Sequence, residues 1–500
     1  MPIPIIQANN LSLTIDSETI VNNVSFSIHK GECIVVTGAS GSGKTTLSKI
    51  IAAHVLPTAG EIQYSSTALN KIVVQQQHDF RYAYETKSYF GQRYDRNYSD
   101  NFPTVKDILT KEKPSKEATE KVIEQLNLRA KLEQPVIELS NGEGKRLQLA
   151  LALLAKPDIL ILDQPFIGLD TATRNQLHGL IESLKKENIT VVIITTTDEI
   201  PACVDQHFRM ENGNLSAMDG NKEEQIVAVD TQKNTFDWDR LKEITATNFS
   251  HFDVAVEMNH VKIAFGDKKI LDDISWTVKR GEHWALLGAN GSGKSTLLSL
   301  INADNPQVYL NDVWLFDQKR GNGESIWEIK KKIGYVSPEM HNHVLRGSSY
   351  IQSQSMAKND FSLGGFSQDK TSCFEMVSSG LNDQVGSSTR LSMMQQKTVL
   401  YWMEALEVVH LKQKPFYKTA LGQQRLLLLA RALVKNPPML ILDEPCQGLD
   451  KQQTSLFTSV VDAICTHLEK TLIYVSHYDS DMPGCIAHKL VLEKGRVVKA

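Results

Sequence analysis

A glycine-rich segment that occurs twice in the chain constrains the fold more than any other feature. Gly38-Ala-Ser-Gly-Ser-Gly-Lys-Thr45 and Gly288-Ala-Asn-Gly-Ser-Gly-Lys-Ser295 both fit the phosphate-binding pattern GxxxxGK[ST]. At ordinary glycine usage, one chance match in a chain of this length has a probability of roughly 0.02. The two segments lie 250 residues apart, within stretches that align without a gap from Asn10 to Lys44 and from His260 to Lys294. The chain is therefore a duplication of one nucleotide-binding unit.

Later landmarks of the two copies are shifted. Gly142 aligns with Gly422 and Asp163 with Asp443, both 280 residues apart, so the second copy carries 30 extra residues. Most of them fall between His341 and Arg390, a stretch rich in Ser, Gly and Gln that fits either a solvated loop or an insertion for recognising a partner. We predict one domain at 1–217, a linker of mixed charge at 218–250 and a second domain at 251–500.

The pattern of apolar residues predicts an α/β fold in each copy. A short apolar strand, Ile34–Thr37 or Trp284–Leu287, runs into the glycine-rich turn and then into a helix with apolar spacing. The runs Ile159–Leu162 and Leu440–Leu442 are apolar on both faces, as in parallel strands that helices cover on each side. We expect two tandem P-loop domains, each a mainly parallel sheet flanked by helices with a helical subdomain.

Composition narrows the class of protein. The 500 residues include 54 Lys and Arg against 58 Asp and Glu, a net charge of -4, so we expect no nucleic-acid partner. The longest apolar runs fall far short of the about 20 residues of a membrane-spanning helix. The N-terminus resembles no secretory signal, and the six cysteines are scattered without a CxxC pair. We therefore expect a cytoplasmic chain with reduced thiols.

The two glycine-rich loops predict the phosphate-binding residues. Backbone amides and the helix N-terminus wrap the phosphates, the lysine reaches the β- and γ-phosphates, and the hydroxyl after the lysine holds Mg²⁺. The predicted cofactors are ATP and Mg²⁺, with Thr45 and Ser295 as metal ligands. The candidates are Gly38, Ser40, Gly41, Ser42, Gly43, Lys44, Thr45 and Thr46 in the first copy and Gly288, Asn290, Gly291, Ser292, Gly293, Lys294, Ser295 and Thr296 in the second.

The two copies differ at the residue that would activate water. Asp163 and Asp443 end the buried strands, where a carboxylate holds Mg²⁺ as the Walker B acid. The next residue is Glu444 in the second copy, placed to orient and deprotonate water. In the first copy it is Gln164, which has nearly the same shape but cannot accept a proton.

With these motifs the sequence resembles two ATP-binding-cassette (ABC) domains fused in one chain. Leu139-Ser-Asn-Gly-Glu143 resembles the LSGGQ signature that precedes a helix in this family. Ser140, Gly142 and the N-terminal amides of that helix would form a second anion cradle. In the family the signature of one domain closes the nucleotide site of the other, so the resemblance implies an intramolecular pseudo-dimer with two composite sites.

The resemblance implies roles for further residues, and the residues that differ from the family pattern fall mainly on the first site. It implies that Phe265 stacks on adenine and that His477 contacts the γ-phosphate, with both residues in the second site together with Lys294, Glu444, Ser140 and Gly142. The first site carries Ile15, Gln164 and Thr196 at the matching positions, and its signature, Thr419-Ala-Leu-Gly-Gln423, keeps Gly422 but lacks the serine. We hypothesise that the first site binds ATP without efficient turnover. An engineered trapping substitution would explain Gln164 but not Thr196, Ala420 and Ile15.

One departure falls on the second copy. Gln76 matches the family's glutamine that helps to hold Mg²⁺ and couples to membrane partners, whereas the aligned residue of the second copy is Pro338, followed by Glu339. This departure bears on coupling to a permease more than on nucleotide binding.

Segments of the second domain, such as Asp443-Glu-Pro-Cys-Gln-Gly-Leu-Asp450, most resemble the ModF type of tandem ABC protein, a type associated with molybdate transport or, through related proteins, with photorepair. The resemblance implies an ATPase that supplies energy to a transporter, with a separate permease and a position at the inner face of the cell membrane. The alternative is a soluble ATPase that remodels a ribosome, nucleic acid or protein. The soluble translation factors of the family carry a longer, strongly basic linker than 218–250, which weakens that alternative.

Overall fold

The computed structural model shows two compact units along the chain. It describes residues 3–15, 18–39, 41–75, 102–111, 114–136, 139, 141–167, 169, 171–195, 200–218, 237–244, 251–265, 268–338, 340–341, 371–383, 391–476 and 481–499. The described residues up to 218 belong to the first unit and those from 237 onwards to the second. Each unit contains an antiparallel sheet and a mainly parallel sheet.

Nine strands are described in the first unit. They are β1 (Ile6–Ile15), β2 (Glu18–Ile28), β3 (Cys33–Thr37), β4 (Ala59–Tyr64), β5 (Lys71–Val74), β6 (Ile159–Asp163), β7 (Thr190–Ile194), β8 (Gln206–Glu211) and β9 (Asn214–Ala217). The antiparallel sheet has the order β2-β1-β4. The other sheet has the order β5-β6-β7-β3-β8-β9, and β9 is its antiparallel edge strand. The central strands β3, β6 and β7 are buried at every position, as their continuous apolar runs predict.

The helices of the first unit cover the parallel sheet and form a separate helical region. They are α1 (Lys44–Ile51), α2 (Val105–Thr110), α3 (Lys116–Gln125), α4 (Asn141–Leu154) and α5 (Thr171–Lys186). Thr104 and Ser115 cap the N-termini of α2 and α3 with their hydroxyl oxygens. The helix α4 begins within the predicted signature segment, at Asn141, and ends shortly before β6, so it joins the helical region to the sheet.

The second unit repeats this arrangement. Its strands are β10 (Val254–Phe265), β11 (Lys268–Lys279), β12 (His283–Leu287), β13 (Asp312–Leu315), β14 (Gln318–Lys319), β15 (Ile333–Val336), β16 (Met439–Asp443), β17 (Thr471–Val475), β18 (His488–Glu493) and β19 (Arg496–Lys499). The two sheets have the orders β11-β10-β13-β14 and β15-β16-β17-β12-β18-β19. The second order matches that of the first unit strand for strand, so the structure confirms the predicted duplication of an α/β domain.

The helices of the second unit include one within the stretch for which the sequence predicts a linker. They are α6 (Trp238–Ile244), α7 (Lys294–Ile301), α8 (Ile326–Lys332), α9 (Cys373–Ser378), α10 (Met393–Ala405), α11 (Leu421–Leu433) and α12 (Lys451–His467). Leu241 of α6 is fully buried in the core formed by α9–α12 and the neighbouring strands. The indole of Trp238 stacks on the imidazole of His467 with ring centroids 4.1 Å apart. The helix α6 is therefore part of the second unit. Most of the extra residues between His341 and Arg390 lie outside the described residues.

Candidate functional site

Both glycine-rich loops connect the central strand of a parallel sheet to the first helix of a unit. In the first unit the loop leaves β3 and enters α1 at Lys44, and in the second it leaves β12 and enters α7 at Lys294. The Nζ of Lys44 donates to the carbonyl oxygens of Gly38 and Ala39, both at 2.6 Å. The Nζ of Lys294 donates to the carbonyl oxygens of Gly288 and Ala289 at 2.7 and 3.1 Å. Each ammonium group is thus held in the middle of its loop, beside the helix N-terminus that attracts anions.

The first glycine of each loop is required by a close approach of the backbone. Gly38 and Gly288 have φ of 141° and 144°. A Cβ atom would come within 2.1 Å of the carbonyl oxygen of Met210 in the first unit and within 2.3 Å of that of Leu492 in the second. In contrast, a Cβ atom at Gly291 would meet nothing within 4 Å. The loop is therefore closed towards the neighbouring strand and open on the side where a phosphate would bind.

The end of β6 offers oxygen atoms that suit Mg²⁺. Asp163 is buried, and its Oδ1 has no hydrogen-bond partner among the described residues. Burial raises the pKa of Asp163, whereas a hydrogen bond from Thr45 and the nearby charges of Lys145 and Lys44 act in the opposite direction. The structure thus brings together two of the predicted metal ligands, and a carboxylate beside a hydroxyl is a donor set that Mg²⁺ prefers. An unsatisfied buried carboxylate oxygen is a group that a cation would stabilise.

The residue after the acidic strand end has the same backbone geometry in both units. Gln164 and Glu444 have φ of 49° and 46°, an uncommon left-handed conformation for such residues. The backbone N–H of Gln164 donates to Ile194 at the end of β7 over 2.9 Å, and that of Glu444 donates to Val475 at the end of β17 over 3.0 Å. The two units therefore present different side chains from equivalent backbone positions.

The signature residues lie at the N-termini of α4 and α11. In the second unit, Ala420 occupies the N-cap position of α11 and has no side-chain oxygen to accept a hydrogen bond. Its backbone N–H donates instead to Oε1 of Gln423 over 3.2 Å. In the first unit, α4 begins at Asn141, directly after the predicted Ser140, and Glu143 pairs with Lys131 at 2.7 Å. The helix ends are thus present in both units, but at the position directly before the helix the sequence encodes a hydroxyl in the first unit, at Ser140, and none in the second, at Ala420.

Several predicted site residues fall outside the described residues. They are Ser40, Gln76, Ser140, Thr196, Glu339 and His477. Phe265 ends β10, and only its backbone is described, whereas its counterpart Ile15 ends β1 with 48% of its surface exposed. Strand register supports the alignment of Gln76 with Pro338. Val74 and Val336, which lie two residues before them, are opposite the aligned residues Leu162 and Leu442.

The structure adds buried cations that the sequence did not single out. Lys145 of α4 and Arg425 of α11 occupy matching positions, three residues after Gly142 and Gly422, and both are almost completely buried. The Nζ of Lys145 donates to the carbonyl oxygen of Gln75. Burial lowers the pKa of Lys145 to about 7 and that of Arg425 to about 10. Alignment of the two copies could have predicted these residues, because both copies have a cationic side chain at this position.

Comparison with known proteins settles the family. The sequence matches the ABC transporter family over residues 21–167 and 271–447. The chain belongs to this family. It is 34% identical over 481 residues to the ABC transporter ATP-binding protein ModF of Escherichia coli (strain K12), covering 93% of this chain and 91% of that protein. It is 26% identical over 492 residues to an uncharacterized ABC transporter ATP-binding protein of Schizosaccharomyces pombe (strain 972 / ATCC 24843), covering 95% of each.

A nucleotide-free ATP-binding cassette from an ABC transporter is among the similar solved structures, with 21% identity, a TM-score of 0.35 and coverage of 44% of this chain and 92% of that chain. The family match and the similarity to ModF over nearly the full length show that the chain is an ATP-binding ABC protein and an ATPase. None of the helices in the described parts of the chain has the length and apolar character needed to cross a membrane.

Proposed function

We propose that this ABC ATPase hydrolyses ATP at the site built on the second P-loop and retains ATP with little turnover at the site built on the first. The observation that carries the proposal is that Gln164 and Glu444 have the same backbone conformation and equivalent backbone hydrogen bonds. The two positions differ in the side chain. A glutamate at this position accepts a proton from an attacking water, and a glutamine cannot. The difference between the two sites is therefore one of chemistry and not of fold.

The other residues of the second site then have distinct roles. Lys294 and the amides of the loop from Gly288 to Thr296 hold the phosphates and meet the charge that develops on them. Ser295 and Asp443 would hold Mg²⁺, which supplies charge neutralisation at the phosphates when it is bound. By the family resemblance, His477 contacts the γ-phosphate.

The proposal includes the pairing of each loop with the signature of the other domain. Ser140 and Gly142 would complete the second site, and the segment from Thr419 to Gln423, with Gly422, would complete the first. The described N-cap of α11 supports the asymmetry, because Ala420 offers no hydroxyl to a phosphate. Thr196 in place of a histidine weakens the first site further.

For the biological role, we propose that the chain supplies energy to a separate membrane permease from the inner face of the membrane. The similarity to proteins described as ABC transporter ATP-binding proteins supports this role. Pro338 at the position of Gln76 favours a second candidate, a soluble ATPase that remodels a cytosolic partner, because a proline side chain cannot couple through hydrogen bonds. Flotation with membranes at low and high salt distinguishes the two: a permease subunit floats with membranes that carry the permease, and a soluble ATPase does not.

ATP hydrolysis by two matched variants tests the catalytic assignment. Glu444→Gln gives the second site the residue that the first site already has, and Gln164→Glu makes the reverse change. We expect Glu444→Gln to lower kcat by about 10²–10⁴, the usual contribution of a general base, without weakening ATP binding. Gln164→Glu should leave most of the turnover of the second site unchanged. Persistent hydrolysis by Glu444→Gln would show that the sites have been assigned wrongly.

A further inference from the structure

A buried arginine contacts the loop that carries the proposed catalytic glutamate. Arg425 of α11 is 2% exposed, and its Nη2 donates to the carbonyl oxygen of Gln447 over 3.1 Å. Its Nε and Nη1 have no hydrogen-bond partner among the residues described. Burial of a guanidinium without full pairing is costly to stability. The negative charge of Glu444 acts on this guanidinium and opposes the effect of burial on its pKa.

A short chain of contacts connects the arginine to the carboxylate. Gln447 lies three residues after Glu444, in the loop that follows β16. Its backbone oxygen accepts from Arg425, and its side-chain Nε2 donates to Oε2 of Glu444 over 3.0 Å. The loop is closed further by the backbone N–H of Gln447, which donates to the carbonyl oxygen of Glu444 over 3.2 Å. Arg425 thus fixes the backbone from which Gln447 reaches the carboxylate.

The equivalent loop of the first unit has a different side chain at the position of Gln447. The backbone N–H of Ile167 donates to the carbonyl oxygen of Gln164 over 3.4 Å, as at the equivalent positions of the second unit. However, Ile167 has no side-chain donor, and Lys145 replaces the arginine and donates to Gln75. At this pair of positions, the amide donor therefore occurs in the unit that carries the glutamate, and an aliphatic side chain occurs in the unit that carries glutamine.

We propose that Gln447 is a positioning residue for Glu444, held in place by Arg425, and that it sets the orientation of the carboxylate that activates water in the second site. A donor on one carboxylate oxygen restricts rotation of the group. The proposal rests on the function proposed above, since it requires Glu444 to act as the base.

Steady-state ATPase kinetics and nucleotide binding on the full chain test the proposal. Gln447→Met keeps the volume of the side chain and removes the donor, and Ile167→Met is the matched control at the equivalent position of the first unit. We expect Gln447→Met to lower kcat about 10- to 100-fold, the usual effect of losing a hydrogen bond to a charged group, with unchanged ATP affinity. Ile167→Met should retain the kcat of the parent chain. Arg425→Lys, which keeps the charge and loses the planar donor, should also lower kcat.

A double variant separates positioning from a structural role. If Gln447 acts through Glu444, adding Gln447→Met to Glu444→Gln should cause no further loss of single-turnover rate. A further loss of the same size as in the parent would overturn the proposal, as would a kcat of Gln447→Met equal to that of Ile167→Met. These outcomes leave the function proposed above intact when Glu444→Gln is inactive. Full turnover by Glu444→Gln would instead refute the assignment of the base itself.

Discussion

The helix α6 provides a test of where the second folded unit begins. Leu241 is 0% exposed, the hydroxyl of Tyr401 donates to the backbone oxygen of Asp237 over 2.9 Å, and Trp238 stacks on His467. Leu241→Ala removes three buried carbon atoms. Buried leucines usually lose about 2.7–5.0 kcal/mol on this change, and the low end applies where a short helix can move to fill the cavity. We therefore expect a loss of about 2–3 kcal/mol in the free energy of unfolding.

Tryptophan fluorescence during urea unfolding measures this loss in the second unit alone, because all six tryptophans lie at or beyond position 238. With a urea slope of about 1–3 kcal/mol per molar, the unfolding midpoint should fall by about 1 M. Asp239→Ala is the matched control, because Asp239 is an exposed residue of the same helix and its change should shift stability by less than about 0.5 kcal/mol. Equal midpoints for the two variants would refute the reasoning, since α6 would then contribute nothing to the fold of the second unit.

Two further predictions concern the phosphate loop and a buried lysine. Gly288→Ala should abolish binding of a fluorescent ATP analogue at the second P-loop, while the first P-loop still binds it, and should lower the urea midpoint, because its Cβ atom would lie 2.3 Å from the carbonyl oxygen of Leu492. Gly291→Ala is also strained by a φ of 77°, but its Cβ atom would have open space, so it should retain more of the binding and of the stability. Equal losses for the two variants would contradict the argument. Burial lowers the pKa of Lys470 from 10.5 to about 8. Between pH 8 and 10.5 the unfolded chain therefore binds one more proton than the folded chain, so the free energy of unfolding should rise with pH in this range. The gain is on the order of 3 kcal/mol. Lys470→Met should lack this gain in stability. Parallel plots of unfolding free energy against pH for the two proteins from pH 8 to 10 would contradict the lowered pKa of Lys470.

Local chemistry explains which parts of the fold could be predicted from the sequence. The glycines of the phosphate loops occupy positive φ values that other residues rarely adopt, so their spacing fixes the loop. The apolar runs predicted β6 and β16 to within a residue at each end, because strands buried on both faces need no alternation. The helix α4 begins at Asn141, inside the signature that we expect to precede it, and its first turns are polar, so apolar spacing does not mark its start.

Tertiary contacts explain what the sequence did not reveal. The antiparallel strands β1 and β10 were not assigned, and register shifts such as the one between Ala8 and Leu11 interrupt the alternation that marks a half-buried strand. The helix α6 has seven residues, and a helix that short depends on packing more than on its own propensity. Neither feature leaves a periodic pattern in the sequence.

The contact of Arg425 with Gln447 could not be predicted for a more general reason. Its acceptor is a backbone oxygen, which is present at every position and therefore carries no signal in the residue types. The duplication supplies the comparison that a single domain lacks. Where two copies share a backbone conformation but differ in side chains, as at Gln164 and Glu444 and at Ile167 and Gln447, selection for folding alone does not require the difference. We therefore expect the functions of the two copies to diverge at such positions. At these two pairs, the side chains that differ control the rate of ATP turnover at each site.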